Sequence, residues 1–350
     1  MKIIVTGGAG FIGSAFIRHL INNTEHDVLN IDKLTYASNI DSLEPIKNNN
    51  RYKFHQIDIC DDQKVLKIME QYKPSALVNF AAESHVDKSI DSPEVFLQTN
   101  IMGTYQLLKS ATTYFKSNTY KDRKDFVFHH ISTDEVFGDI NDNQLPVNET
   151  ARYSPNSPYS SSKAGSDHLV NAWFSTYQLP TLITNCTNNY GWYQHTEKLI
   201  PLMILKAINK LPMPVYGDGK QIRDWLYVDD HVNAIQLILE KGKVGNSYNI
   251  SGGNQISNID VIKTICKCLT DFDKKNNIEY FDYESLIEFV KDRPGHDRRY
   301  ALDSSKISKE FGWVPEHSFE DGINKTILWY IENYYLYKNK LDSLKRQGNI

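Results

Sequence analysis

The octet Thr6-Gly7-Gly8-Ala9-Gly10-Phe11-Ile12-Gly13 constrains the fold more than any other part of the chain. It lies between a β-branched run at 3–5 and a helically spaced apolar stretch at 11–21. Gly8, Gly10 and Gly13 satisfy GxGxxG, and Gly7, Gly10 and Gly13 satisfy GxxGxxG. Glycines at this spacing let the backbone turn tightly behind a strand and approach a pyrophosphate, which then sits on the helix N-terminus. A strand, glycine loop and helix in this order open a parallel, doubly wound sheet.

The same rhythm continues through the first half. Strands are predicted at 28–31, 52–57, 76–80, 126–131 and 181–184, with helices at 64–71, 94–115 and 159–177. Alternation of this kind implies an α/β, Rossmann-type doubly wound parallel sheet with helices on both faces. Past residue 190 the pattern changes, with Pro201, Pro212 and Pro214 among clustered glycines. The pieces 228–239 and 248–250 read as a return to the sheet. The expected organisation is a dinucleotide-binding domain of 1–187 with 222–250, and a smaller C-terminal substrate-binding lobe of 188–221 and 251–350. The polar stretch 117–125 reads as a surface loop, and the polar tail after Tyr337 as a fraying end.

Bulk properties exclude several classes. The 350 residues carry a net charge of −4, so no global basic field is available for nucleic acid or an anionic membrane. Cys60, Cys186, Cys266 and Cys268 fit neither a zinc-ligand nor a redox CxxC spacing. No metal is expected, and free thiols suit a reduced cytosol. The start MKIIVTGGAG has an apolar run too short for a signal peptide, and no stretch approaches the roughly eighteen apolar residues of a membrane span. A cytoplasmic protein is expected.

Asp32 closes the second strand, about twenty residues after the glycine loop. A carboxylate there accepts from ribose hydroxyls and repels a 2′-phosphate, favouring NAD over NADP, although Lys33 beside it could tolerate the phosphate. Asp58, followed by Ile59, either flanks the adenine or caps the next helix. Tyr159 and Lys163 form a YxxxK pair, four apart on one helix face. A phenol is a poor base at neutral pH, and a neighbouring ammonium or a cationic nicotinamide favours its phenolate. Ser132-Thr133-Asp134-Glu135-Val136-Phe137-Gly138 leaves the strand at 126–131, so the two acids stand at the carboxyl end of a parallel strand, where they can serve separate proton transfers.

The strings TGGAGFIGS, DKLTYASN, AAESHVDKSI, STDEVFG, YSSSK, NNYG, EKLIP, QIRDWLYVDDH and DRPGHDRRYALD together resemble the dTDP-glucose 4,6-dehydratases over nearly the whole chain. STDEV discriminates: related epimerases lack the acidic pair. The resemblance implies an NAD-dependent hydro-lyase without net redox change. Tyr159, helped by Thr133, takes the O4 proton while hydride leaves C4 for NAD. Glu135 removes the C5 proton, Asp134 protonates the leaving O6, hydride returns to C6 and Glu135 reprotonates C5. Carried over position by position, Phe11, Ile12, Asp32, Lys33, Leu34, Thr35, Asp58, Ile59, Ala81, Ala82, Thr99, Tyr159, Lys163 and Asn189 would contact NAD. Ser84, Thr133, Asn188, Lys198, Leu199, Tyr216, Arg223, Asn258, Arg293 and His296 would contact the nucleotide sugar.

A diphosphate favours bidentate cations, which suits Arg223 and Arg293, with surface salt bridging the alternative for both. Tyr216 and His296 could stack on the base, or Tyr216 could simply pack. His85, His129 and His130 read as packing or loop residues. The chain departs from the usual family pattern at Asn185, Trp192 and His195-Thr196, beside the substrate crevice. Alternative activities are a UDP-glucose 4,6-dehydratase, a UDP-sugar 4-epimerase or a non-catalytic dinucleotide sensor. The resemblance also implies a homodimer through helices 94–115 and 159–177, with Leu107, Leu108, Trp173 and Phe174 as its apolar surface. It further implies a product used in deoxysugar biosynthesis, toward rhamnose and O-antigen or an amino-deoxy sugar.

Overall fold

The computed structural model describes residues 1–117 and 126–337. Its strands are β1 (Lys2–Thr6), β2 (Asp27–Asp32), β3 (Tyr52–Gln56), β4 (Ala76–Asn79), β5 (Val127–Thr133), β6 (Thr181–Cys186), β7 (Asn188–Tyr190), β8 (Met213–Tyr216), β9 (Ile222–Tyr227), β10 (Ser247–Ile250), β11 (Gln255–Ser257) and β12 (Ile287–Val290). Its helices are α1 (Phe11–Asn23), α2 (Asp62–Tyr72), α3 (Val86–Asp91), α4 (Pro93–Phe96), α5 (Thr104–Lys116), α6 (Pro158–Tyr177), α7 (Leu199–Ile208), α8 (Val228–Lys241), α9 (Asn258–Lys275), α10 (Ser305–Phe311) and α11 (Phe319–Glu332).

Seven strands form one parallel sheet in the order β10-β6-β5-β4-β1-β2-β3. Side chains alternate across it as a strand requires. Ile3 and Val5 of β1 enter a core with Phe16, Ile17 and Leu20 of α1 and Val232, Ile235 and Ile238 of α8. Ile4, between them, faces the opposite core with Val65 and Met69 of α2, Leu107 and Leu108 of α5 and Val170 of α6. Both faces are therefore buried, which is why these strands read as nearly continuous apolar runs. A third core, built from α7, α9 and α11 against β7 and β9, belongs to the C-terminal half. There β9 pairs antiparallel with β11 and parallel with β7, and β12 pairs parallel with β8.

Several expectations change. Residues 228–239 do not add a strand: Val228, Val232, Ile235 and Leu239 recur at helical spacing, and α8 packs on α1. Only Ser247–Ile250 returns to the large sheet, beside β6. The helix expected at 94–115 is interrupted by a π-helical stretch, Leu97–Gly103, which brings Thr99 and Asn100 inward. Leu107 and Leu108 are fully buried within the subunit and offer no surface. Trp173 packs on Tyr105 and Tyr177, and the Phe174 ring fills the space beside Gly245. Most of the loop expected at 117–125, and the tail after Tyr337, lie outside the described residues.

Candidate active site

The carboxyl ends of β1, β2, β4, β5 and β6 open onto one cleft of about 670 Å³. At its floor Gly7 has φ +68°, and a Cβ there would lie 2.6 Å from the Ala81 nitrogen. A Cβ on Gly13 would lie 2.4 Å from the Gly7 carbonyl oxygen. Gly10 caps α1 with no side-chain hydrogen bond, so the helix N-terminus is open toward the cleft. This is a cradle shaped for a pyrophosphate.

Asp32 ends β2 at the cleft. Its Oδ2 accepts from Ala9 N at 3.0 Å, and its Oδ1 accepts from Leu34 N at 2.8 Å. Lys33 Nζ donates to Thr99 Oγ1 at 3.3 Å and lies 3.8 Å from Asp58 Oδ2. Gly7, Gly10, Phe11, Ile12, Gly13, Asp32, Lys33, Thr35, Ile59, Ala81, Ala82, Thr99 and Asn189 line the cleft. Leu34 and Asp58 stand behind that lining. Leu34 takes a left-handed turn at φ +60°, and Asp58 accepts from Cys60 N at 2.9 Å. Asp61, not Asp58, caps α2.

β5 delivers Thr133 to the cleft and a 3₁₀ turn, Asp134–Phe137, follows at once. Thr133 Oγ1 donates to Asp134 Oδ1 at 3.1 Å and accepts from Glu135 N at 3.3 Å. Asp134 Oδ2 is buried and, among the described residues, has no hydrogen-bond partner. Burial, then the neighbouring Glu135 charge, holds the Asp134 carboxyl well above the usual carboxylate range. Burial also raises Glu135, but Arg293, Arg223 and Lys198 oppose it. Both acids are thus raised, Asp134 further than Glu135, whose carboxylate the three cations favour.

α6 opens with Pro158 after a capping box between Ser157 and Ser160, which fixes where the YxxxK face points. Tyr159 and Lys163 both line the cleft beside Thr133 and Glu135. Burial, followed by the Glu135 charge, raises the Tyr159 phenol well above its ordinary value, while a hydrogen bond with Thr133 lowers it. The Lys163 ammonium is turned to the Ile131 carbonyl oxygen at 2.8 Å and lies 3.2 Å from His130 Nε2.

The residues expected on the substrate side divide into two groups. Ser84, Asn188 and Lys198 line the same cleft, and Lys198 Nζ donates to the Ser84 carbonyl at 2.9 Å. Leu199, Tyr216, Arg223, Asn258, Arg293 and His296 lie beyond that lining. Arg293 Nη1 pairs with Asp87 Oδ1 at 2.7 Å, and Tyr216 OH donates to Asp87 Oδ2 at 3.5 Å. Asp87 itself lines the cleft and joins the two groups. His296 stands edge-on to Tyr216, ring centroids 6.3 Å apart. Arg223 is buried, with donors on the carbonyls of Ile222 (2.7 Å) and Asp297 (2.9 Å), and it lies over the Tyr300 ring. It is therefore no surface salt bridge. Asn258 and Leu199 are the first residues of α9 and α7.

Glu197, Lys88 and Tyr36 also line the cleft, without having been singled out in the sequence. Glu197 gathers Lys88 (3.2 Å), His85 (3.4 Å) and His195 (3.5 Å), and Lys88 Nζ lies 3.3 Å from the centroid of Tyr36. His85, in the loop that caps α3, is thus part of the cleft wall. His129 packs, with Nε2 3.2 Å from Thr184 Oγ1. The Asn100 side chain bonds both Glu83 N and Glu83 O and donates to Ser162 Oγ, tying the β4 exit to α6. Among the described residues no group of side chains is placed to hold a metal ion, and no helix is long and apolar enough to cross a membrane.

A profile of the GDP-mannose 4,6 dehydratase family matches residues 4–326. A dTDP-glucose 4,6-dehydratase of Neisseria meningitidis serogroup B is 53% identical over 345 residues, covering 99% of this chain and 97% of that protein. One from Escherichia coli is 54% identical over 352 residues, covering 98% and 97%. Among solved structures, the dTDP-glucose 4,6-dehydratase DesIV of Streptomyces venezuelae, with NAD and dTDP bound, superposes with a TM-score of 0.87 at 39% identity, covering 99% of this chain and 100% of that one. A UDP-glucose 4-epimerase of Thermotoga maritima, with UDP-glucose, gives a TM-score of 0.82 at 26% identity, covering 95% and 100%.

Proposed function

The chain belongs to the dTDP-glucose 4,6-dehydratases, extended short-chain dehydrogenase/reductases, and from that premise we propose that Tyr159, Thr133, Asp134 and Glu135 carry its proton transfers. The enzyme is an NAD-dependent hydro-lyase that converts dTDP-glucose to the 4-keto-6-deoxy sugar nucleotide. The observation that carries the residue assignment is the acidic pair at the end of β5, where Asp134 is bonded to Thr133 and raised well above the usual carboxylate range, and the raised Glu135 is opposed by the charges of Arg293, Arg223 and Lys198.

Bound NAD supplies a hydride acceptor at C4 and a donor at C6. Tyr159 takes the O4 proton, and Thr133 orients that oxygen. Burial keeps the phenol protonated until positive charge arrives, so the Lys163 ammonium and a cationic nicotinamide are both needed. Once C4 is a ketone, the C5 proton is acidic enough for Glu135. Asp134, protonated at the start, gives its proton to O6 and water leaves. Arg293 and Lys198 neutralise the sugar-nucleotide phosphates, and Tyr216 with His296 brackets the base. Arg223, committed to carbonyls, acts through its field on Glu135.

We further propose the division into 1–187 with 222–250 and 188–221 with 251–350, a cytoplasmic homodimer, and a product destined for rhamnose and O-antigen. Val95, Leu97, Met102 and Tyr177, exposed by 41–48% on the helices at 93–116 and 158–177, support a dimer face. Incubating the protein with dTDP-glucose and with UDP-glucose, and weighing the products, tests the activity. Loss of one water from dTDP-glucose is expected, and turnover of UDP-glucose alone would transfer the assignment to the uridine series.

A further inference from the structure

Tyr159, Lys163 and Asp167 follow one another at four-residue spacing, so all three lie on one face of α6. Lys163 and Asp167 are both buried, at 3% and 0% exposure. Asp167 Oδ2 accepts from Ser132 Oγ at 2.7 Å, Tyr153 OH at 3.0 Å and Asn185 Nδ2 at 3.4 Å. Asn185 Nδ2 also donates to the Thr133 carbonyl at 3.2 Å. Asp167 Oδ1 lies 3.4 Å from His130 Nε2 and, among the described residues, has no hydrogen-bond partner.

The His130 ring is neutral in this setting. Asn79 Oδ1 accepts from Thr6 Oγ1 at 2.6 Å, so its amide nitrogen is the atom 3.1 Å from His130 Nδ1. Nδ1 is then an acceptor, and the ring proton sits on Nε2, 3.1 Å from Ser166 Oγ, which itself donates to the Lys163 carbonyl. Burial, followed by the Lys163 charge, pushes the ring down to about 4, in agreement. Around Asp167, β5 contributes His130 and Ser132, β6 contributes Asn185, the segment before α6 contributes Tyr153, and α6 contributes Lys163. Cys186 of β6 faces Lys163 as well. Of these, only Lys163 carries a full positive charge. A buried carboxylate without a cation is costly, and so is a buried ammonium without an anion. Burial would raise Asp167, yet His130, Lys163 and Ser132 hold it below the usual range.

We propose that Asp167, whose Oδ1 lies 3.4 Å from the same His130 Nε2 that the Lys163 ammonium approaches to 3.2 Å, is the buried counter-charge of Lys163, a positioning residue that, through Ser132 and Asn185, holds the Thr133–Glu135 turn against the Tyr159 face of α6. This rests on the roles proposed above for Tyr159 and Lys163. Asp167 touches neither sugar nor cofactor and acts through its neighbours.

The test is a double-mutant cycle of Asp167→Asn, Lys163→Met and both together. Rapid mixing of NAD-loaded enzyme with dTDP-glucose reads the first step, and melting temperature reads stability. Removing the carboxylate lowers the proton affinity of Lys163, and once the ammonium gives up its proton the positive charge that favours the Tyr159 phenolate is gone, so the phenol ionises at higher pH. Asp167→Asn is expected to slow the first step at least about tenfold and to move the acid limb of its pH profile up by about one unit. Ser132→Ala, which removes a hydrogen bond but no charge, leaves the limb in place. The double variant is expected to lose no more rate than Lys163→Met and to melt above Asp167→Asn, because no unpaired charge remains. If Asp167→Asn does not fold, the double variant should. An unshifted limb, rate losses that simply multiply, or a double variant that is itself unfolded would each overturn the proposal. A wild-type protein that releases no 4-keto product refutes the proposed function instead, and the melting temperatures still report the coupling.

Discussion

The hydroxyl of Thr133 gives its proton to Asp134 at 3.1 Å, so it meets a sugar oxygen as an acceptor unless Asp134 is itself protonated. The order of proton transfers therefore depends on the state of Asp134. Burial and the Glu135 charge favour the protonated carboxyl, and in that form Thr133 is free to donate toward O4 and Asp134 keeps a proton for O6.

Asp134→Asn and Glu135→Gln should separate oxidation from elimination. Both variants keep size and much of the hydrogen bonding, so substrate still binds and enzyme-bound NADH should accumulate in one turnover. Tyr159→Phe should form almost none. Overall dehydration should fall at least about a hundredfold in each, as removal of a general acid or base typically does. Absorbance after rapid mixing, followed by product release over minutes, makes the measurement. A near-wild-type rate for Asp134→Asn would show that water or another group protonates O6.

The same carboxyl makes stability depend on pH. Burial, then Glu135, raises its proton affinity in the folded state above that in the unfolded chain. The folded state then binds more protons, and stability falls as pH rises from about 4 through the raised value. Asp134→Asn does not ionise and escapes this decline. It should melt above wild type by about a few degrees near pH 8, with the gap closing below about pH 4. Calorimetry at both ends of the range checks it. A variant that melts below wild type at pH 8 would mean that hydrogen bonding to Thr133 outweighs the ionisation.

Gly13→Ala places a methyl 2.4 Å from the Gly7 carbonyl, where only backbone can move. The glycine loop must open, at about 1–3 kcal/mol, and the protein should lose its NAD on gel filtration while wild type retains it. Retention by the variant would show that the loop relaxes without disturbing the cradle.

Leu97→Glu with Met102→Glu replaces two exposed apolar side chains on the 93–116 helix with charges and touches no core. Light scattering at micromolar concentration should show a dimer for wild type and a monomer for the variant. A wild-type monomer would refute the dimer.

Much of this was legible in the residues because it rests on periodicity. The alternation of Ile3, Ile4 and Val5 between two cores is written in their β-branched run, and the spacing of Tyr159 and Lys163 puts them on one face by helix geometry alone. Residues 228–239 read as part of the sheet because they follow directly on the strand β9, whose end has no turn signal before Val228. The π-helical stretch left no mark, since one wide turn keeps the apolar stripe almost intact. Asp167 was silent for another reason. Its meaning comes from Ser132, Tyr153 and Asn185, which lie 14–35 residues away and meet it only in the folded chain.

The packing of α8 on α1 has a consequence for synthesis. The face of α1 that carries Phe16, Ile17 and Leu20 is covered by residues that leave the ribosome more than two hundred positions later, and the edge strand β10 follows later still. A nascent chain stopped at residue 187 holds six of the seven strands of the large sheet, yet it exposes an apolar helix face and an open edge along β6. Such a fragment is a template for aggregation and not a free-standing dinucleotide-binding unit. Translation speed across 188–250 therefore sets how long the chain depends on chaperones, and synonymous changes there should alter yield without altering the enzyme.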